Sequence, residues 1–417
     1  MRKLLLSMAA LPLVIGGLSV SASADGINIL DNFKVKGQIR PRFENVDDGS
    51  ATTANANAYT ARTKLSATAD LLGVDGLTAT IGGIAVSNFG AHGYNNAGST
   101  VYTDGTLPYS VVKDPQDAMI SNAEINYTVN NTTLHAGRGQ VNLDNQRFIG
   151  TVGWRQLERS YDSLFVANNS IKNLSVLAAW VYGYAGVTNT TTVDTNTVLL
   201  HAAYTIMPEL KVTAYDYMIA NTHDTYGIAL TGKINAGPAK LNYRAEYAGQ
   251  GDATMEKGTQ VAGVTGKADA DYYNFDLGAN INGILAGVNY EVFSGANGTE
   301  TNFTTPLATG HKFNGWADVA SSANGGLIDT NVRLGYKAPG FGKLLAVYHD
   351  FKADVATAAI GDDKGSELDL VYVNKIPGVN NLKGLVKYAN FSKGKVAGTT
   401  NDVQKVWVGL DYKFSVN

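Results

Sequence analysis

Arg40 and Arg42 stand two residues apart, and Arg62 and Lys64 repeat that spacing further along the chain. In an extended segment alternate side chains share a face, so each pair presents two cations to the same side. Such a face attracts anions, the guanidinium as a planar fork that matches carboxylates and the ammonium as a point charge. Catalysis has less to work with. The six histidines, at 92, 135, 201, 223, 311 and 349, are dispersed along the chain. His223-Asp224 and His349-Asp350 are adjacent, and neighbours on a strand point to opposite faces and cannot form a dyad that way. No HExxH, GxSxG or Walker loop occurs, and no metal-ligand spacing stands above chance. The GRGQ stretch at Gly137 to Gln140 has no helix after it and is not a dinucleotide fingerprint. Cysteine is absent, which removes thiolate chemistry and disulfides. No catalytic residue, metal or cofactor is expected, and no enzyme.

The elements that carry these cations alternate with period two. From Lys34 to Glu44 one face holds Lys34, Lys36, Gln38, Arg40, Arg42 and Glu44, and the other holds Val35, Gly37, Ile39, Pro41 and Phe43. Thr60 to Leu71, Lys240 to Tyr247, Tyr272 to Ile281 and Lys405 to Phe414 repeat the pattern, each with a wet face and an apolar one. About eighteen such segments follow one another, near the ten-residue length with which a tilted strand crosses a bilayer. Short turns fall at Asp75-Gly76, Asn130-Asn131, Met207 to Glu209, Ala236 to Pro238, Asn282-Gly283, Ala338 to Gly340 and Pro377-Gly378, where Gly, Asn and Pro suit tight reversals. Long polar stretches lie between them, at 46–58, 89–117, 142–159, 186–196, 249–270, 294–328, 352–365 and 392–403. Asn221 to Asp224 is short where a long loop is due, and Pro41 removes a ladder hydrogen bond from its strand.

The predicted fold class is therefore all-β, a transmembrane antiparallel β-barrel of about 18 strands with short periplasmic turns and long extracellular loops. A soluble sandwich also alternates, but a chain of 417 residues is long for one sandwich domain and no linker divides it. With 46 Gly, 22 Tyr and 17% charged residues, the chain lacks the long apolar runs of helical membrane proteins. Residues 1–24 read as a cleaved signal peptide: Arg2 and Lys3, an apolar run, then Ala22-Ser23-Ala24. Residues 25–417 would form one barrel domain. The formal net charge of −3 becomes −5 once Arg2 and Lys3 are removed. No basic tail with interleaved aromatics suggests nucleic acid.

Closure of such a barrel sets Lys383, Lys387, Lys405 and Lys413 beside Lys34, Lys36, Arg40, Arg42, Arg62 and Lys64, with Glu44, Asp70 and Asp411 as the acids on the same faces. Carboxylates otherwise appear on middle and later strands, at Glu124, Asp276, Glu291, Glu367 and Asp369. A basic wall would favour anionic solutes. The segment DNQRFIGTVGWRQ, Asp144 to Gln156, is charged and aromatic between two barrel segments; folded into the lumen it would present Arg147 and Arg155 to the solute, and otherwise it is a surface loop.

That segment, followed by ATGHKFNGWAD (308–318), AVYHDFKAD (346–354), GSELDL (365–370) and LVKYANF (385–391), resembles the successive signatures of the alginate-export-like porin family. The resemblance implies an 18-stranded outer-membrane barrel in which Arg40, Arg42, Arg62, Arg147 and Arg155 face the solute path, with Glu367 and Asp369 as lumen carboxylates. The expected function is an outer-membrane porin of a Gram-negative bacterium, passing small hydrophilic, anionic solutes by diffusion. Its partners would be outer-membrane lipid, lipopolysaccharide and those solutes, and its oligomeric state is left open. The alternatives are a dedicated exporter of an anionic polysaccharide such as alginate and a non-conducting structural or adhesive barrel.

Overall fold

The computed structural model describes residues 23–24, 27–96, 101–256, 267–296, 300–357, 361–396 and 401–416. Apart from Ser23 and Ala24, the predicted signal peptide lies outside them. The barrel begins with β1 (Leu30–Asp47), β2 (Ala56–Leu71), β3 (Leu77–Ser87), β4 (Ala118–Val129), β5 (Thr132–Gly139) and β6 (Ser160–Asn168). It continues with β7 (Leu174–Gly186), β8 (Asn189–Met207), β9 (Leu210–Ile219), β10 (His223–Ala236), β11 (Ala239–Gly251) and β12 (Asp269–Ile281). The last strands are β13 (Ile284–Phe293), β14 (Leu327–Ala338), β15 (Gly342–Thr357), β16 (Gly361–Lys375), β17 (Leu382–Lys393) and β18 (Val403–Val416). Each strand pairs antiparallel with its sequence neighbour, and β18 pairs with β1 to close an 18-stranded barrel.

Alternation decides which face meets which solvent. On β12, Tyr273, Phe275 and Leu277 are exposed, while Tyr272 and Asn274 turn inward and are buried. Exposed Ile228 and Leu230 on β10, Val332 and Leu334 on β14 and Val408 and Leu410 on β18 continue the same outer belt. A closed barrel pairs every strand and can show this apolar belt to hydrocarbon, where no backbone group may go unpaired.

Turns obey local chemistry. Asn130 and Asn131 both take positive φ, +48° and +61°, as a two-residue hairpin turn requires. The turn at 169–173 between β6 and β7 has neither Gly nor Pro; Asn173 supplies the left-handed residue at φ +65°, which is why composition alone passes it over. Pro41 leaves its mark where expected: pairing of β1 with β18 lapses at Arg40 and Pro41 and resumes in the same register. Two predicted loops are corrected. At 186–196 the strands continue to a turn at Val187-Thr188, because the β-branched run after Asn189 favours extended structure. At 352–365 pairing reaches Thr357 opposite Gly361. Asn221 lies in a tight turn between β9 and β10, so this rim carries short connections among its long ones.

The interior is not empty. Phe148 and Ile149, from the 140–159 connection, pack with inward Tyr215, Tyr217 and Tyr272 and with Phe303 of the 294–326 connection. The buried core thus sits inside the barrel between wall and loops. Because outward and inward positions differ in solvent, Leu277→Arg is expected to cost about 2–4 kcal/mol of membrane stability. Lumen-facing Thr231→Arg should cost far less. Denaturant titration of protein refolded into vesicles checks this; equal losses would contradict the assignment of faces.

Candidate functional site

Arg40 and Arg62 are direct partners across β1 and β2. Like charges placed opposite one another destabilise a sheet unless something engages both. What engages them is backbone. Arg40 donates to the carbonyl oxygens of Gly153 (2.8 Å), Trp154 (3.2 Å) and Arg155, and to the Gln156 side chain (3.0 Å). Arg42 donates to Trp154 O (2.7 Å) and to the Asp114 carboxylate. Arg62 reaches Gln156 O (3.4 Å), Glu158 (2.6 Å) and Gln38, and Lys64 donates to Glu158 (2.8 Å). Four consecutive carbonyls of the 140–159 loop are thereby fastened to the wall where the barrel closes.

A second loop is held by the opposite chemistry. Glu367 and Asp369 project inward from β16 and accept the backbone N–H groups of Ala317 (2.6 Å) and Trp316 (3.1 Å). Gly315 makes this approach possible. Its φ is +78°, and a Cβ there would lie 2.3 Å from Glu367 Oε2. The two loops then bind each other: Gly150 N–H donates to Leu307 O (2.9 Å), Thr309 N–H to Gln146 O (3.0 Å) and Arg155 to Asp318 (2.8 Å). Lys387, inward from β17, fastens both. Its ammonium lies 4.1 Å from the ring centre of Trp154, 3.9 Å from Trp316 and 5.2 Å from Trp407, three of the four tryptophans in the chain. A cation against aromatic faces is attracted to their quadrupoles. It also donates to His311 Nε2 (2.7 Å), which leaves His311 Nδ1–H to donate to Asp318 (2.7 Å).

Electrostatics of the loop groups follow from these contacts. Burial opposes ionisation of Glu158, but Arg62 and Lys64 outweigh it and hold the carboxyl down at about 2. Burial likewise opposes Asp114, and Arg42 and Arg155 lower it below the ordinary carboxylate value. Burial pushes His311 down to about 3, so the imidazole is neutral.

The predicted site residues divide by position. Arg42 and Arg62, 5% and 2% exposed, lie beneath the 140–159 loop, with Arg40 and Lys64 half-buried beside them. Glu367 and Asp369 lie beneath the 294–326 loop. Arg147 and Arg155, with Lys113, His311 and Asp318, line a cavity of about 340 Å³ on the loop side of the constriction. Arg155 pairs with Glu44 (3.1 Å), and Arg147 crosses to Glu291 on β13 (2.8 Å). The loop therefore spans the interior between β1 and β13. A further cavity of about 510 Å³ lies on the turn side, lined by residues deeper on β10 to β15. The sequence reading missed Asp114, Glu158 and Asp318, the carboxylates that meet the basic wall. Each sits in a connection, and strand periodicity says nothing about where a connection folds.

The closed barrel superposes on solved outer-membrane proteins. Pseudomonas aeruginosa OccK8 (OprE) matches with a TM-score of 0.70 at 15% identity, over 93% of this chain and 100% of that one. P. aeruginosa OccK9 (OpdG) gives 0.72 at 16% identity over 92% and 99%. P. aeruginosa OpdK, solved with vanillate, gives 0.70 at 12% identity over 92% and 99%. The likeness is one of fold, and it meets the motif resemblance to alginate-export-like porins at the level of the 18-stranded barrel. No family model and no curated protein matches the sequence.

Arg40→Ala removes the arginine donor from the carbonyls of Gly153 and Arg155, leaving Trp154 O to Arg42, and a buried polar group left without a partner costs about 1–3 kcal/mol. Trypsin is then expected to cut after Arg155 in the otherwise folded barrel, while the native chain resists; equal resistance would contradict the clamp. Glu158 also sets an acid limit. A carboxylate with a lowered pKa stabilises the closed loop only while ionised, so its contribution is whole above the ordinary 4.5 and fades as the pH falls towards about 2. Tryptophan fluorescence is expected to hold steady from pH 8 to 5 and to change below 4.5. A change centred near neutrality would contradict the assignment.

Proposed function

We propose that the protein is an outer-membrane porin of a Gram-negative bacterium, a water-filled channel for passive diffusion of small hydrophilic, anionic solutes. The observation that carries this reading is the interior: polar side chains face inward around a closed wall, and two inward loops narrow the lumen between cavities of small-molecule size. Loops anchored in this way favour small solutes over a polysaccharide strand, which needs a continuous wide conduit. The motif resemblance to alginate exporters is thus taken as kinship of architecture. The signal peptide over residues 1–24 supplies the route to the membrane, with lipid and lipopolysaccharide against the apolar belt.

Anion preference rests on charge placed at both ends of the path. Around the loop-side cavity Arg147 and Arg155 are matched by Glu291, Glu44 and Asp318, and Lys113 is a lining cation with no ion pair among the described residues. At the turn-side mouth, inward-facing Lys337 is the direct partner of Lys343, and Lys375 of Lys383. Among the described residues no ion pair engages these four. Like charges directly opposite are unfavourable, and a lumen that concentrates anions gives them a purpose. Vanillate, named with the OpdK structure, is a small carboxylate of the kind this lumen would accept.

In planar bilayers the protein is expected to show stable open channels whose reversal potential in a potassium chloride gradient indicates anion preference. Replacing Lys337, Lys343, Lys375 and Lys383 by Gln should move that potential towards cation preference, most clearly at low salt. A barrel that passes no current would overturn the channel reading and favour an adhesive role. A reversal potential that ignores the lysines would remove the selectivity claim alone.

A further inference from the structure

The turn-side cavity differs in kind from the basic ends of the path. Four adjacent strands put an amide into it: Asn242 from β11, Asn274 from β12, Asn289 from β13 and Asn331 from β14. Asn289 and Asn331 are direct partners. Asn274 stands one inward position nearer the loops than Asp276, the partner of Asn289, and donates to Asn289 Oδ1 (2.8 Å). Asn242 lies one inward position nearer the turns, opposite Gly278. A Cβ at Gly278 would come within 2.7 Å of Asn242 Oδ1, so the missing side chain provides the room that this amide uses. The amides form a sloping belt, as tilt of the strands demands.

Apart from Lys312, whose ammonium donates to Asn145 O (2.9 Å), the charges around the belt are occupied with each other. Arg244 pairs with Glu246 (2.6 Å), Arg333 with Asp276 (2.6 Å), Arg147 with Glu291 (2.8 Å) and His349 with Asp329 (2.9 Å). Phe313 and Trp316 of the inward loop complete the lining with aromatic surface. An amide offers both a donor and an acceptor, as a hydroxyl does, whereas a carboxylate only accepts and an ammonium only donates. Paired ions, a belt of amides and aromatic surface in a cavity of about 510 Å³ suit a ligand rich in hydroxyls with apolar C–H faces.

We propose that this chamber binds polyhydroxylated solutes the size of a mono- or disaccharide, recognised through their hydroxyl groups and not through charge. The proposal rests on the channel reading, which supplies the route to the chamber, and its test separates the two. Single-channel current is recorded with glucose, with an ethylene glycol oligomer of matching size and with gluconate. Glucose is expected to reduce the current saturably in the millimolar range, and the oligomer only in proportion to its bulk effect. The double variant Asn242→Leu, Asn289→Leu should raise the half-blocking glucose concentration about tenfold, equivalent to about 1.4 kcal/mol. Its fold is checked by heat-modifiable migration. Indistinguishable effects of glucose and the oligomer, an unchanged half-block in the variant, or gluconate binding more than about tenfold tighter than glucose would overturn the proposal. If no ion current is seen at all, the channel reading fails first. Tryptophan fluorescence titrated with glucose in detergent then decides the binding claim, since Trp316 lines the chamber: a saturable change lost in the double variant supports it, and none overturns it.

Discussion

A chain folded into the middle of a barrel brings its own carbonyl oxygens with it, and these need donors. Here the donors are the guanidinium groups of Arg40, Arg42 and Arg62, which take the carbonyls of residues 153 to 156. Without that match the 140–159 loop would leave several polar groups unpaired in a crowded interior. With it, the loop becomes a fixed part of the lumen wall. Placement of Arg147 and Arg155 and separation of the two chambers depend on this fastening, and the 294–326 loop, anchored by Glu367 and Asp369, docks against it.

The clamp also reassigns the work of charge. A row of cations on a barrel wall invites a reading as a track for anions, and the same groups can instead hold a constriction in place. Arg is suited to that task because one planar fork satisfies several oxygens at once. Carboxylates at Glu367 and Asp369 perform the complementary task on backbone N–H groups. Beyond the clamps, Lys113 on the loop side and the paired lysines at the turn-side mouth are the cations on which the proposed anion preference rests.

Most of the wall was legible in the sequence. Period-two alternation tells wet face from lipid face residue by residue, and Asn or Gly at turn positions fixes the hairpins, as at Asn130-Asn131. Strand count and closure of β18 on β1 follow from that. Loop ends were less legible, since β-branched residues after Asn189 extend strands past any membrane boundary. The constriction was half legible: the aromatic and charged character of Asp144 to Gln156 marked it as able to enter the lumen. Its partners were not, because contacts such as Arg42 with Asp114 join residues far apart in sequence that no local pattern couples. The amide belt was invisible for the same reason, since it exists only across the registers of four strands.

If the fastened loop sets the bore, removing it should widen the channel without opening the barrel. The direct measurement is single-channel conductance of a protein in which residues 143–157 are replaced by a short Gly-Ser turn. Conductance is expected to rise several-fold, with the strand content and heat-modifiable migration of the native protein. Native conductance in that variant would mean that the ions take another route, and would contradict the constriction described here.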